Sequence, residues 1–223
     1  MNNRVVSILF LAITISVFSV GFACSQDSYE YKTYENKTGE TINRFWIEIG
    51  SIDKGRIIAS FRKEEGDRIE IEEYVLDEKF ATLQWKVECK NDDTLYEGER
   101  IGNKLILKGK FMAQAIDKVI DIGKEPLFVN PKLGLIGFVR SNKKSETFWA
   151  LRNDNLEAFK MIANNQGREV IKLNNEDVNT DKVYWAPKGF GSVFFNRIYW
   201  FRLSDNLYVR QTTSRDRMRE LVK

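Results

Sequence analysis

Phe80-Ala81-Thr82-Leu83-Gln84-Trp85-Lys86-Val87-Glu88-Cys89 is the stretch that decides the fold class. Ala81, Leu83, Trp85 and Val87 alternate with Thr82, Gln84, Lys86 and Glu88. Apolar residues at period two mark a half-buried β-strand, because successive side chains point to opposite faces. Cys89 falls on the apolar side, where it reads as a small buried hydrophobe. Upstream, Phe45, Ile47 and Ile49 alternate with Arg44, Trp46 and Glu48, and the pattern recurs in Ile57, Ala59, Phe61 and in Ile69, Ile71. Glu70 and Glu72 then take the face opposite Ile69 and Ile71, a solvated one, since carboxylates are rarely buried without partners. Asp117 and Asp121 alternate with Ile116, Ile120 and Ile122 in the same way. Turn residues separate the runs at 53–55, 65–67 and 91–93. Gly102-Asn103 joins 95–101 to 104–110 as a tight hairpin.

Downstream, Glu125-Pro126 and Asn130-Pro131 interrupt the strands. Pro131 suits the first position of a helix and Asn130 suits its cap, with Leu133, Leu135, Ile136 and Val139 following. One short helix over 130–141 is expected, as a crossover or as a lid or plug at one barrel end. Strands resume at 146–152, 156–164, 168–173, 181–186, 194–203 and 207–212. Helix formers at Glu157, Ala158, Lys160 and Met161 compete in 156–164. Asn164-Asn165-Gln166-Gly167 reads as a hairpin into 168–173 and selects strand there. The chain is therefore expected to be mainly β, a large antiparallel meander forming an open barrel or half-barrel, with the segment near 130–141 as its short helix or lid. The strand-rich runs on either side of Pro126–Ser141 would be two halves of one barrel.

Composition narrows the chemistry. The 223 residues contain no histidine, which removes His-based nucleophile systems and His-ligated zinc, copper or non-haem iron. A net charge of +3 gives no case for a nucleic-acid-binding face. Arg210, Arg215, Arg217, Arg219 and Lys223 make the tail basic, and it reads as a solvated, frayed terminus. The sequence has neither a calcium loop of the D-x-[DN]-x-[DN]-G type nor a glycine-rich phosphate loop. No catalytic residue, metal or cofactor is assigned, and a non-enzyme is expected.

The N-terminus carries its own signal. Arg4 precedes an apolar run over 5–20, and small residues follow at Gly21, Ala23 and Ser25, the three-part pattern of a secretory signal peptide. Gly21-Phe22-Ala23-Cys24 resembles a bacterial lipoprotein box, in which Cys24 would be lipidated. Cleavage after Ser25 is the alternative. The expected organisation is a leader over 1–25 and a single β domain over 26–223, in the periplasm, with anchoring to the outer membrane if Cys24 is acylated. Cys24 is also the membrane tether if one exists.

Gly167-Arg168-Glu169-Val170-Ile171-Lys172-Leu173, Lys182-Val183-Tyr184-Trp185, Tyr199-Trp200-Phe201-Arg202 and Asp205-Asn206-Leu207-Tyr208-Val209-Arg210 close the chain. This set resembles a family of uncharacterised bacterial periplasmic proteins and lipoproteins with a domain of unknown function. The resemblance implies an open β-barrel similar to the lipoprotein-carrying factors of the bacterial envelope. It implies no known activity and carries no catalytic residue onto this chain.

The aromatic residues are candidates for a ligand pocket, against the simpler role of core filling. Trp46, Trp85, Trp149, Trp185 and Trp200, with Met112 and Met161, would line an apolar cavity. Arg202 or Arg152 would anchor an anionic head. The expected ligand-binding set is Trp46, Trp85, Trp149, Met161 and Arg202. The functional expectation is an exported envelope protein that binds a lipid, an acyl chain or another hydrophobic small molecule, or an envelope partner. A purely structural lipoprotein with a filled core and a carboxylate-based hydrolase are the alternatives.

Overall fold

The computed structural model describes residues 27–52, 55–189, 195–213 and 217–222. The leader and Cys24 lie outside them. The first half of the chain forms β1 (Asp27–Glu35), β2 (Thr41–Ile52), β3 (Arg56–Glu65), β4 (Arg68–Leu76), β5 (Thr82–Cys89), β6 (Thr94–Ile101), β7 (Lys104–Phe111) and β8 (Gln114–Asp121). Helix α1 (Pro131–Arg140) follows. The second half adds β9 (Ser145–Leu151), β10 (Ala158–Leu173), β11 (Glu176–Pro187), β12 (Arg197–Arg202), β13 (Tyr208–Thr213) and β14 (Arg217–Leu221). Among the described residues the fourteen strands make one antiparallel sheet in the order β8-β7-β6-β5-β4-β3-β2-β1-β14-β13-β12-β11-β10-β9. The expected mainly-β open barrel with one short helix is the fold observed.

Two seams hold the halves together. At the first, β14 pairs with both β1 and β13, Tyr31 opposite Leu221 and Arg210 opposite Glu220. Tyr31 reinforces it: its hydroxyl donates to the Tyr208 carbonyl at 2.8 Å, and its ring stacks on Phe45 and Tyr208 at 4.8 and 5.0 Å. Such ring pairs add ~0.5–1.5 kcal/mol each beyond burial. At the second seam the sheet is left open, and β8 and β9 do not pair. Residues 126–128 span the gap instead. Phe128 N donates to Trp149 O and Trp149 N to Pro126 O, both at 2.8 Å, while Thr82 N donates to Leu127 O at 2.7 Å. Arg100 fixes the approach to this bridge by donating to the carbonyls of Glu125 (2.9 Å) and Gly123 (3.2 Å). Lys160 and Trp149 both donate to the Glu125 carboxylate.

Helix α1 lies in the concavity of the sheet. Asn130 Oδ1 accepts from Lys132 N at 3.1 Å and Pro131 occupies the first turn, as the cap chemistry predicts. Leu133, Gly134, Leu135, Ile136, Phe138 and Val139 are all buried. A helix apolar on nearly every side needs protein all round it, so this one fills the interior.

Four expectations change. Residues 164–167 do not turn: β10 runs through them, with an irregularity between Asn165 and Arg168 that Gly167 accommodates at φ +94°. The hairpin falls at Asn174-Asn175, both at positive φ, the geometry that two-residue hairpins favour. Glu70 and Glu72 turn inward and leave Ile69 and Ile71 exposed. Tyr74 explains this register, since it faces inward between Ala59 and Trp85 and carries the even-numbered residues of β4 with it. The basic tail is not frayed over its described part, because residues 217–221 form β14; Arg215 and Lys223 lie outside the described residues. Finally, β1 extends the sheet ahead of the first strand expected from alternation.

Candidate functional site

The concave face around the N-terminus of α1 encloses a solvent-connected cavity of about 740 Å³. Its apolar wall includes Leu151, Phe159, Trp185, Phe195 and Tyr199. Its inner end carries Lys132 from α1, Arg197 from β12, Gln211 from β13 and Arg219 from β14. Strand alternation sets these positions: Arg219 shares a face with buried Leu221, and Gln211 is itself 1% exposed. Arg219 donates from Nε to Thr33 Oγ1 and from Nη1 to Gln211 Oε1, both at 3.3 Å. Arg152 and Asp154 form an exposed ion pair at the outer rim.

Lys132 separates this cavity from a smaller pocket of about 160 Å³ lined by Phe45, Phe61, Lys63, Glu70 and Glu72. Its ammonium sits over the rings of Phe61 and Phe45, at 4.9 and 5.3 Å. The accessible surface it retains faces the two cavities it lines. Burial, then the positive charges of Arg219, Arg197 and Lys63, lower its pKa to about 7 against the opposing charge of Glu72. Glu72 is 6% exposed. The Tyr74 hydroxyl donates to its Oε2, and Asn130 Nδ2 donates to the same oxygen at 3.4 Å. Asn130 thus caps the helix with one end of its amide and ties it to β4 with the other.

Burial, reinforced by the charge of Glu70, raises the Glu72 carboxyl to about 7, with the Tyr74 hydrogen bond and Lys132 opposing. Its ordinary value is 4.5. The stability that this shift contributes is therefore complete below pH 4.5 and lost as pH rises through about 7. Lys132 works the other way at the top of that window: its folded pKa of about 7 lies below its ordinary 10.5, so it begins to release a proton in the folded chain and that contribution to stability grows with pH, in wild type and variant alike. Glu72→Gln keeps a neutral acceptor and removes the titration. The wild-type melting midpoint should fall between pH 5 and 7 more steeply than that of the variant, as measured by circular dichroism. Equal slopes would show that Glu72 does not titrate in this range.

The structure does not bring the five expected ligand-binding residues together, and none of them lines the larger cavity. Trp46 faces outward under Arg62, whose guanidinium is 5.8 Å from the ring. Trp85 is fully buried and lies against Gly98, its partner on β6. Trp149 belongs to the second seam, with Lys160 over its ring at 5.1 Å. Met161 is fully buried in the core. Arg202 pairs with Asp205 in the β12–β13 turn. Trp185 and Arg152, also named from sequence, do line the cavity. Lys132, Arg197, Gln211, Arg219 and Glu72 were missed. The sequence signal for Lys132 was its place straight after a capping Asn-Pro. For Arg219 it was period two with Leu221.

Fold and site together define an open antiparallel β-barrel with an internal helix and a cavity beside the helix N-terminus. The chain is similar to the crystal structure of a β-barrel-like protein of a domain of unknown function, DUF1849, from Brucella abortus. The TM-score is 0.57 at 11% identity, over 90% of this chain and 96% of that one. At that identity the likeness is one of fold, and it agrees with the expected uncharacterised β-barrel domain. No family model and no curated protein matches the sequence.

Proposed function

We propose that this chain is a non-catalytic binding protein of the bacterial envelope that holds the acyl part of a hydrophobic ligand in its barrel. The observation that carries this reading is the cavity of about 740 Å³ beside α1, with Trp185, Phe195, Phe159 and Leu151 on its wall. Concave, largely apolar sites with a few convergent polar groups are the usual form of small-molecule sites. Burial of ligand surface there would drive binding at roughly 25 cal/mol per Å². Export follows from the leader pattern at 1–25, and membrane tethering from acylation of Cys24. The test is purification of the exported domain from bacterial cells, followed by organic extraction and mass spectrometry, with titration of an environment-sensitive apolar dye. Co-purified lipid and saturable dye fluorescence, weakened by Trp185→Ala, are expected. No extracted lipid and no saturable dye signal would sink the reading.

One observation favours a hydrolase as the second reading: Glu70 and Glu72 converge on one small pocket with Lys132. Acyl-ester cleavage by the wild type that Glu72→Gln abolishes would establish it. Against it, Glu70 is paired with Arg68, and Glu72 is bound to Tyr74 and Asn130.

A further inference from the structure

We propose that the ligand of the larger cavity is an amphiphile with an oxyanion head, carboxylate or phosphate ester, seated between Lys132 and Arg219. This rests on the binding reading above and adds the chemistry of the head group.

Charge at the inner end of the cavity favours an anion. Lys132 of α1 and Arg219 of β14 line the inner end of one cavity. Of the acids within reach, two are neutralised by arginines and two are held by neutral donors. Glu70 pairs with Arg68 at 2.9 Å, Asp154 pairs with Arg152, and Glu157 accepts from Asn155 at 2.9 Å. Glu72 is bound to Tyr74 and Asn130. Arg219 meets neutral oxygens of Thr33 and Gln211, and Lys132 meets two ring faces. Mutual repulsion within such a pair costs free energy that an arriving anion relieves, and guanidinium groups suit the paired oxygens of carboxylate or phosphate. The first turn of α1 presents its positive end on the same side. Trp185, on the apolar wall, holds a buried indole N–H that has no partner among the described residues. An apolar wall beside a basic inner end matches a tail and an anionic head.

The experiment titrates the exported domain with dodecanoate, dodecyl phosphate, dodecanol and dodecyltrimethylammonium, read by displacement of the apolar dye. At low salt, one or both of the two anions should bind about tenfold tighter than dodecanol, with the cation weakest. The anion-to-alcohol ratio should fall to about one to three in Lys132→Met and in Arg219→Gln, and shrink with added salt. Two variants are used so that a packing disturbance at one site does not decide the outcome, and each is first checked for a wild-type circular dichroism spectrum. Lys108→Met, exposed on β7, should leave the ratio unchanged. Dodecanol binding as tightly as both anions would overturn the oxyanion head and leave the binding reading standing. Displacement by none of the four would overturn both.

Discussion

Removing residues 214–223 is expected to abolish folding to a soluble monomer. The reason lies in the strand order. β14 is the last strand in the chain and sits near the middle of the sheet, between β1 and β13. Its loss removes five registered pairs with β1 and three with β13. It also removes the Arg210–Glu220 ion pair, whose side chains are 17% and 14% exposed. Arg210 would keep a half-buried charge without its carboxylate, a costly arrangement. Two long edges, β1 and β13, would be uncovered at once, and unpaired edges template aggregation. The Tyr31–Tyr208 contacts and the 126–128 bridge would then have to hold one half against the other. A graded version keeps the backbone. Leu221 is 5% exposed in this seam, so Leu221→Ala should cost about 2–5 kcal/mol. Size-exclusion chromatography and urea unfolding measure both. A truncated chain that runs as a monomer with a wild-type midpoint would show that β14 does not hold the halves together.

That strand also shows where sequence reasoning stops. Hairpins such as Ile101–Lys104 and the Asn130-Pro131 helix start were legible because their determinants lie within a few residues of one another. β14 was not legible. Its five residues include two apolar ones, and the pairing that stabilises it reaches back to β1, across nearly the whole chain. Glu72 failed for a related reason. A carboxylate on a strand reads as solvated unless its partners are visible, and Asn130 stands 58 residues away. Alternation also leaves the inner face undetermined where both faces carry bulky residues. Trp46 and Trp85 lie on equally clear strands, yet one faces out beneath Arg62 and the other faces the core. The cavity gathers its basic residues from α1, β12 and β14, so no stretch of sequence could display them as a set.

Gly137→Ala is expected to lower stability, although the same change in an isolated helix raises it. In a free helix alanine is favoured over glycine by about 1 kcal/mol. Here α1 presses on the turn before β5, and a Cβ at Gly137 would fall well inside contact distance of the Lys79 carbonyl oxygen. The obstacle is backbone, and that turn cannot yield easily. Asp77 Oδ1 accepts from Lys79 N at 2.9 Å and from Ala81 N at 2.8 Å, and Asp77 N donates to Ala81 O at 2.9 Å. Phe80 sits at φ +63°, a conformation held by this hydrogen bonding, with the Arg140 guanidinium 4.8 Å from its ring. The helix must therefore shift as a body, disturbing the Asn130 cap and the seating of Lys132. A loss of about 1–3 kcal/mol is expected from overpacking, enough to outweigh the propensity gain. Gly134 behaves alike. A Cβ there would fall inside contact distance of the Cβ and ring of Phe128, which is buried against Phe148, so Gly134→Ala should also lower stability. Urea midpoints of the two variants measure the losses. A higher midpoint for Gly137→Ala than for the wild type would mean that α1 is not seated against the 77–81 turn.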